Sequence, residues 1–286
     1  MNNILNIKRL GLVFRKDILE NWKRYALLFL TMLGVMVVML TLNYWNHYSD
    51  IEIVGKRNVN SDKNKDILAY LSLLFGIFGF IFASIFTSPM NNKLKKITYL
   101  LSPSSNFEKY FTRWVIVTVA YIISFFIAMW IADIIRIAIC SARFPDNNIT
   151  FIDLTKLVYM GDERITGDCL FSKEIFILLF SIYFLFQSLF ILGSTFWEKS
   201  SFIKTFTVMG LIVLSYILIC RWTILLFYGE IDAFVNVLGS FESIRKTGMN
   251  EKTVSLIASS VISVFTLANW TLAFFRFRES EIAKRL

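Results

Sequence analysis

The sequence predicts an all-α integral membrane protein with six transmembrane helices. Of its 286 residues 56% are hydrophobic and only 18% are charged, and the mean hydropathy is +0.59, all far from the averages of soluble proteins. Six apolar runs are also long enough to span a bilayer, because about 20 residues at about 1.5 Å each cross ~30 Å of hydrocarbon. These runs are 25–45, 67–89, 114–140, 175–197, 202–228 and 253–275.

The basic residues between the runs predict the topology. Seventeen of them lie in the segments 8–24, 91–113, 199–204 and 276–285, and the alternate loops carry fewer. By the positive-inside rule, both termini and the segment 91–113 are cytoplasmic. The net charge of the chain is +9, and the excess positive charge of the cytoplasmic flanks faces anionic membrane lipids or an acidic surface of a cytoplasmic partner, so a nucleic acid is not expected as a partner.

Residues 1–24 have the pattern of an amphipathic helix at the membrane interface. Apolar residues recur at three- and four-residue spacing, and charged residues occupy the other faces. We therefore expect an interfacial helix over 1–24, a transmembrane domain over 25–275 and a cytoplasmic tail over 276–286. A simple juxtamembrane anchor for the first span is the alternative reading of 1–24.

The segment 91–113 is the most informative polar part of the chain. It has the pattern of a helix, a break at Pro103 and a second helix that leads into the third span. Ser105 followed by Glu108 has the spacing of a capping box, in which each residue satisfies a backbone N–H of the other. The pattern predicts that a helix begins directly after Ser105.

The sequences of the loops on the opposite side are compatible with more than one structure. The loops 46–66 and 141–172 are too short for a separate domain. The loop 229–250 is apolar enough for a short re-entrant segment, and a helix packed across the bundle is the alternative. Cys140 and Cys169 both lie near this side, so a disulfide is possible there, as are two buried thiols.

Ionisable and polar residues within the spans are candidates for function. Asp133 and Arg136 on the third run and Arg221 on the fifth lie near the outer ends, where they can extend to the headgroups. A sharper hypothesis is that Asp133 and Arg221 pair at an outer gate. Gln187 and Ser188 lie mid-span, where they line a pathway or form hydrogen bonds between packed helices.

Several classes of chemistry lack their required residues. The chain has a single histidine, His47, without a set of metal ligands around it, and it has no phosphate-binding loop for ATP. No pair of catalytic residues at a common depth suggests an intramembrane enzyme, and no mid-membrane carboxylate suggests an ion-coupled carrier. We therefore expect a protein that is not an enzyme and has no cofactor.

Leu100, Leu101, Pro103 and Glu108 give the segment between the second and third spans a local resemblance to the ABC-2 type permease family. The six spans, the cytoplasmic termini, the amphipathic start and the semi-apolar loop before the sixth span agree with the layout of that family. The beginning of the chain is also similar to small permease-like proteins of Bacteroidetes.

This resemblance implies a multi-pass permease subunit of an ABC exporter in the bacterial inner membrane. Such a subunit pairs with a copy of itself or a second permease, binds a separate ATPase subunit and exports an amphipathic or apolar substrate. The segment 91–113 is then the coupling helix, and the implied ATPase contacts are Lys93, Lys95, Lys96, Ser104, Phe107, Glu108 and Lys109. The alternative is a membrane scaffold that holds a cytoplasmic partner through the same basic face without transport.

Overall fold

A computed structural model describes residues 6–54, 60–88, 104–145, 149–159, 171–197, 200–228 and 251–282. Six helical segments in this part of the chain are long and apolar enough to cross a membrane, so the predicted all-α, six-span fold class is confirmed. The protein is a multi-pass integral membrane protein. Its helices are α1 Ile7–Val54, α2 Asn60–Ser84, α3 Asn106–Val115, α4 Tyr121–Arg143, α5 Lys173–Phe196, α6 Ser201–Tyr228 and α7 Glu251–Ile282.

Helix α1 differs from the prediction at both of its ends. Residues 7–24 are helical as expected, but they form one continuous helix of 48 residues with the first span, instead of a separate interfacial helix. At 1.5 Å per residue this helix is about 72 Å long, far more than the hydrocarbon thickness. Its sequence contains no proline, so the polar flanks continue the helical hydrogen bonds and α1 also extends into the predicted loop 46–66.

The third span is built from α3, a π-helical turn at Ile116–Ala120, and α4. The predicted capping box is confirmed, since the Ser105 side chain accepts from the backbone N–H of Glu108 and the Glu108 side chain accepts from that of Ser105. Directly after the π-helical turn, the Tyr121 hydroxyl donates to the backbone carbonyl of Phe75 on α2. This contact ties the irregular turn to the neighbouring span.

The chain forms two compact units. The first comprises Met1–Phe86 with Ile97–Lys173, and in it α1 runs parallel to α3 and α4. Arg9 meets Glu108 at the start of both helices, and Tyr48 meets Phe144 near their ends, with ring centroids 5.6 Å apart. Because the contacts extend over the full length of both segments, the first and third spans are packed as a pair.

The second unit comprises Thr87–Lys96 with Glu174–Leu286, and contains α5, α6 and α7. Helices α5 and α6 approach closely at Gly193, where an added Cβ atom would lie 2.2 Å from the Thr205 hydroxyl oxygen. Ser200, directly before α6, has a positive φ of 55°. Most of α6 after Thr205 is exposed, and its side chains there are largely apolar. A helix with this apolar surface suits a lipid environment.

The region after α4 contains short secondary structure that the sequence did not predict. A 3₁₀ helix at Leu154–Leu157 leads into strand β1 at Val158–Tyr159, which pairs in parallel with β2 at Phe171–Ser172. Hydrogen bonds from the hydroxyl and backbone N–H of Thr155 lower the pKa of Asp153 at the start of the 3₁₀ helix. These elements shorten the predicted loop 141–172.

Some predicted features lie outside the described residues. They are the possible re-entrant segment 229–250, the first part of the segment 91–113, and Cys169. Cys140 is a buried free thiol. The predicted tail over 276–286 begins as a continuation of α7, which remains helical to Ile282.

Candidate functional site

The Glu108 carboxylate joins the beginnings of α1 and α3. It accepts the backbone N–H of Asn6 at 2.9 Å and that of Ser105 at 3.0 Å. It also accepts Nε of Arg9 at 2.6 Å and Nη2 of Arg9 at 2.8 Å. The Glu108 side chain is fully buried, whereas that of Arg9 remains 36% exposed. We call these four residues, Asn6, Arg9, Ser105 and Glu108, the double cap.

Each of the two backbone N–H donors of the double cap belongs to a residue that directly precedes a helix. The Asn6 side chain accepts the N–H of Lys8 at 3.1 Å, and the backbone carbonyl of Asn6 accepts the N–H of Leu10, as in an N-cap residue. Ser105 has the same position before α3. A carboxylate at two helix N-termini is favoured by both helix dipoles, so the charge of Glu108 stabilises α1 and α3 together.

A second polar cluster joins the same helices farther along. The Arg113 guanidinium donates from Nη2 to the Asp17 carboxylate and from Nη1 to the Tyr25 hydroxyl at 3.1 Å. Tyr25 in turn donates to the other Asp17 oxygen at 3.2 Å. Asn21 donates to the Asp17 side chain and to its backbone carbonyl. We call Asp17, Asn21, Tyr25 and Arg113 the buried cluster.

The charges of the buried cluster compensate each other. Asp17 and Arg113 are only 5% and 2% exposed, and desolvating either charge alone would cost several kcal/mol. Their contact, supported by neutral donors on α1, offsets the free-energy cost of burying both charges. Together with the double cap, it fixes the first five to six turns of α1 against α3.

The predicted ATPase-contact residues have different surroundings. Lys93, Lys95 and Lys96 lie outside the described residues. Ser104 is half-buried and Phe107 is 37% exposed, so both are accessible. Glu108 and Lys109 are 0% and 2% exposed, and their contact with an ATPase subunit stays a prediction. Within the chain, Glu108 accepts hydrogen bonds from Asn6, Arg9 and Ser105.

Asp133 and Arg136 form a third charged contact, near the other end of α4. Nε of Arg136 donates to Asp133 at 2.7 Å, and Nη2 donates to the carbonyl of Thr150 at 2.7 Å. The second Asp133 oxygen accepts the N–H of Ile152 at 3.0 Å, and the Arg136 guanidinium lies 3.9 Å from the centroid of the Tyr44 ring. Both charged side chains are buried, so they hold the segment 149–152 and do not extend to lipid headgroups.

The other predicted positions separate into exposed and packed residues. Arg221 is exposed on α6, and its pairing with Asp133 stays a prediction. Gln187 and Ser188 are fully buried. The Ser188 hydroxyl accepts a hydrogen bond from the side-chain amide of Asn269 on α7 at 3.1 Å. Of the two uses considered for Ser188, this contact supports helix packing.

Sequence reasoning missed Arg9, Asp17 and Arg113 as members of a site. A signal was available for Asp17, since Asn21 and Tyr25 follow it at four-residue spacing on one helix face. The spacing of three between Asp133 and Arg136 likewise allows an ion pair on one helix. Nothing local, however, indicates that Arg9 meets a residue 99 positions later.

Within the described residues, no group of three or more histidine, cysteine, aspartate or glutamate side chains could hold a metal ion. No family model, curated protein or solved structure matches the chain. The contacts of the double cap and the buried cluster join two spans at one end of the first unit.

Proposed function

We propose that the protein is the permease subunit of an ABC-2 type exporter in the bacterial inner membrane. In this proposal a separate ATPase subunit hydrolyses ATP, and the six-span domain moves an amphipathic or apolar substrate. The motif at Leu100, Leu101, Pro103 and Glu108 suggests the family, and the six apolar helices provide the required membrane domain.

The observation that carries the proposal is the double cap. A permease driven by an external ATPase needs a membrane-proximal element that passes force to its spans as a rigid body. Glu108 is the last residue of the motif that suggests the family, and its carboxylate joins the starts of α1 and α3. The buried cluster reinforces the same contact. Movement imposed on the segment before Ser105 would then shift the first and third spans together.

The proposed orientation puts the double cap on the cytoplasmic side. The basic flanks of α1 and α3 support it through the positive-inside rule. The accessible side chains of Ser104 and Phe107, with Lys93, Lys95 and Lys96, are the proposed surface for the ATPase subunit. The protein would work with a copy of itself or with a second permease.

Affinity purification from the native cells in mild detergent tests the proposal. We expect an ATP-binding subunit to copurify, and the complex to hydrolyse ATP faster than that subunit alone. Glu108→Gln should retain the subunit but reduce this stimulation, because glutamine keeps a capping acceptor and loses the charge that holds Arg9. Glu20→Gln, which removes an exposed carboxylate from α1, is the matched control and should behave like the wild type.

Two results would contradict the transporter proposal. If the folded chain copurifies without any ATP-binding subunit, it is not a permease of this type. If it instead copurifies with a partner that lacks an ATP site, and the basic face is needed for that contact, the scaffold interpretation replaces it. Equal ATPase stimulation in the wild type and Glu108→Gln would remove the double cap from the coupling mechanism.

A further inference from the structure

The segment 149–152 folds back along α4. The backbone N–H of Ile152 donates to the Asp133 carboxylate, and the backbone carbonyl of Thr150 accepts from the Arg136 guanidinium. Helix α4 ends ten residues after Asp133 and seven residues after Arg136. At 1.5 Å per residue, the chain therefore returns by about 10–15 Å, or roughly two to three helical turns, after α4 has ended.

This return brings the segment to the edge of the hydrocarbon. The apolar run of the third span ends at Cys140, seven residues after Asp133 and four after Arg136. The two charged residues therefore lie about 6–10 Å inside the end of this run. On the first span, the Arg136 guanidinium lies 3.9 Å from the ring centroid of Tyr44, and the apolar run of that span ends at the next residue. Both spans give the same depth for the segment.

Irregular backbone at this depth needs partners within the protein, because lipid offers none to an N–H or a carbonyl group. The Asp133 and Arg136 side chains supply one partner to each kind of group, and their charges also compensate each other. Both side chains are buried, at 6% and 0% exposed. The pair thus satisfies the backbone and avoids an isolated charge in a medium of low polarity.

Phe151 lies between the two residues that are held in this way. Its side chain is 59% exposed, whereas Ile149 and Ile152 are half-buried. The 3₁₀ helix at Leu154–Leu157 follows directly and contacts α2, so the segment is also held at its other end. A large apolar side chain fixed at the edge of the hydrocarbon and turned away from the protein faces lipid acyl chains.

We propose that residues 149–157 form a strap in the membrane interface, held by Asp133 and Arg136, and that Phe151 inserts among the acyl chains of the adjacent leaflet. The strap links the ends of three spans, because it contacts α4 through the charged pair, α1 through Arg136 and Tyr44, and α2 through the 3₁₀ helix. The inference does not depend on the proposed transport function, because it concerns only the depth of this segment in the bilayer.

Electron paramagnetic resonance of the full-length protein in lipid nanodiscs tests the depth of the strap. A nitroxide spin label is attached to Phe151→Cys or to Thr155→Cys in a background without the native cysteines. We expect the label at position 151 to collide more often with oxygen, which is apolar and concentrates in lipid, than with a water-soluble nickel chelate. Thr155 is the matched control, because it is exposed on the same strap beside Asp153 and Lys156, and its label should show the opposite preference.

A double variant tests the charged pair. Asp133→Leu combined with Arg136→Leu removes both contacts to the strap and leaves no buried charge behind, so the spans should remain folded. In this variant the label at position 151 should lose its preference for oxygen and become as accessible to the nickel chelate as the label at position 155. Arg221→Leu, which removes an exposed cation from α6, is the control and should leave the preference unchanged.

Three results would overturn the proposal. A label at position 151 that prefers the nickel chelate lies in water, and a label that neither reagent reaches is covered by protein. An unchanged preference for oxygen in the double variant would show that Asp133 and Arg136 do not hold the strap. The first measurement leaves the charged pair intact, so it decides the depth of Phe151 even if the double variant does not fold.

Discussion

The guanidinium of Arg9 donates two hydrogen bonds to the carboxylate of Glu108, from Nε at 2.6 Å and from Nη2 at 2.8 Å. The two residues are 99 positions apart, and each lies within one turn of the start of its helix. The same carboxylate accepts backbone N–H groups at both helix starts. One side chain thus determines how the first and third spans begin relative to each other.

Removing the charge of Glu108 should destabilise the first unit. We expect Glu108→Gln to cost about 1–2 kcal/mol, because the contact with Arg9 loses its charge, and Glu108→Ala to cost about 2–4 kcal/mol, because the caps are lost as well. Thermal unfolding followed by tryptophan fluorescence in detergent measures both effects. Glu20→Gln is the control and should change stability by less than about 0.5 kcal/mol. A similar loss in all three variants would refute the special role of Glu108.

The contact between Asp17 and Arg113 should show strong energetic coupling. A double-mutant cycle with Asp17→Asn and Arg113→Gln is expected to give about 1–3 kcal/mol, because each single variant leaves one buried charge or dipole unmatched. The exposed Lys16 and Glu20 pair offers a matched cycle on the same helix, with coupling expected below about 0.5 kcal/mol. Additive effects at Asp17 and Arg113 would show that the buried cluster does not hold the helices together.

The contact of α5 with α6 should be sensitive to one methyl group. An added Cβ atom at Gly193 would lie 2.2 to 2.9 Å from three atoms of Thr205, so Gly193→Ala is expected to destabilise the protein by about 1–3 kcal/mol. At Gly210 on α6 nothing lies within 4 Å, and Gly210→Ala should be neutral or stabilising by up to about 1 kcal/mol. Comparison of the two unfolding midpoints tests this, and equal shifts would contradict the close approach.

Asp133 should couple more strongly to Arg136 than to Arg221. Both Asp133 oxygens already accept hydrogen bonds within the first unit, from Arg136 and from the N–H of Ile152. We expect about 1–3 kcal/mol in a cycle of Asp133→Asn with Arg136→Gln, and effects additive within about 0.5 kcal/mol in the cycle with Arg221→Gln. Coupling to Arg221 of equal size would restore the hypothesis of an outer gate formed by Asp133 and Arg221.

The topology can be tested by cysteine labelling in intact cells. In a background without the three native cysteines, a cysteine at Lys95 should be protected from a membrane-impermeant reagent until the cells are permeabilised, because the basic flanks favour the cytoplasm. A cysteine at Thr155, which is exposed in the segment after α4, should react in intact cells. The reverse pattern would invert the proposed orientation.

The sequence alone determined the features that depend on neighbouring residues. The apolar runs predict six spans because crossing a bilayer requires a minimum length of helix, and the structure has six such helices. The capping box at Ser105 and Glu108 was also predictable, since its two partners lie within one helical turn. Local spacing could equally have indicated the pair of Asp133 and Arg136.

Only the tertiary structure decided which distant charged side chains form pairs. The basic character of residues 8–24 fits a headgroup-facing helix, but it does not show that Arg9 meets Glu108 or that Asp17 meets Arg113. Those contacts depend on the parallel packing of two spans, which brings together residues about 100 positions apart. Hydrophobic runs fix how many helices form, whereas burial of a few charged side chains fixes which helices must pair, because an unpaired charge there would be too costly.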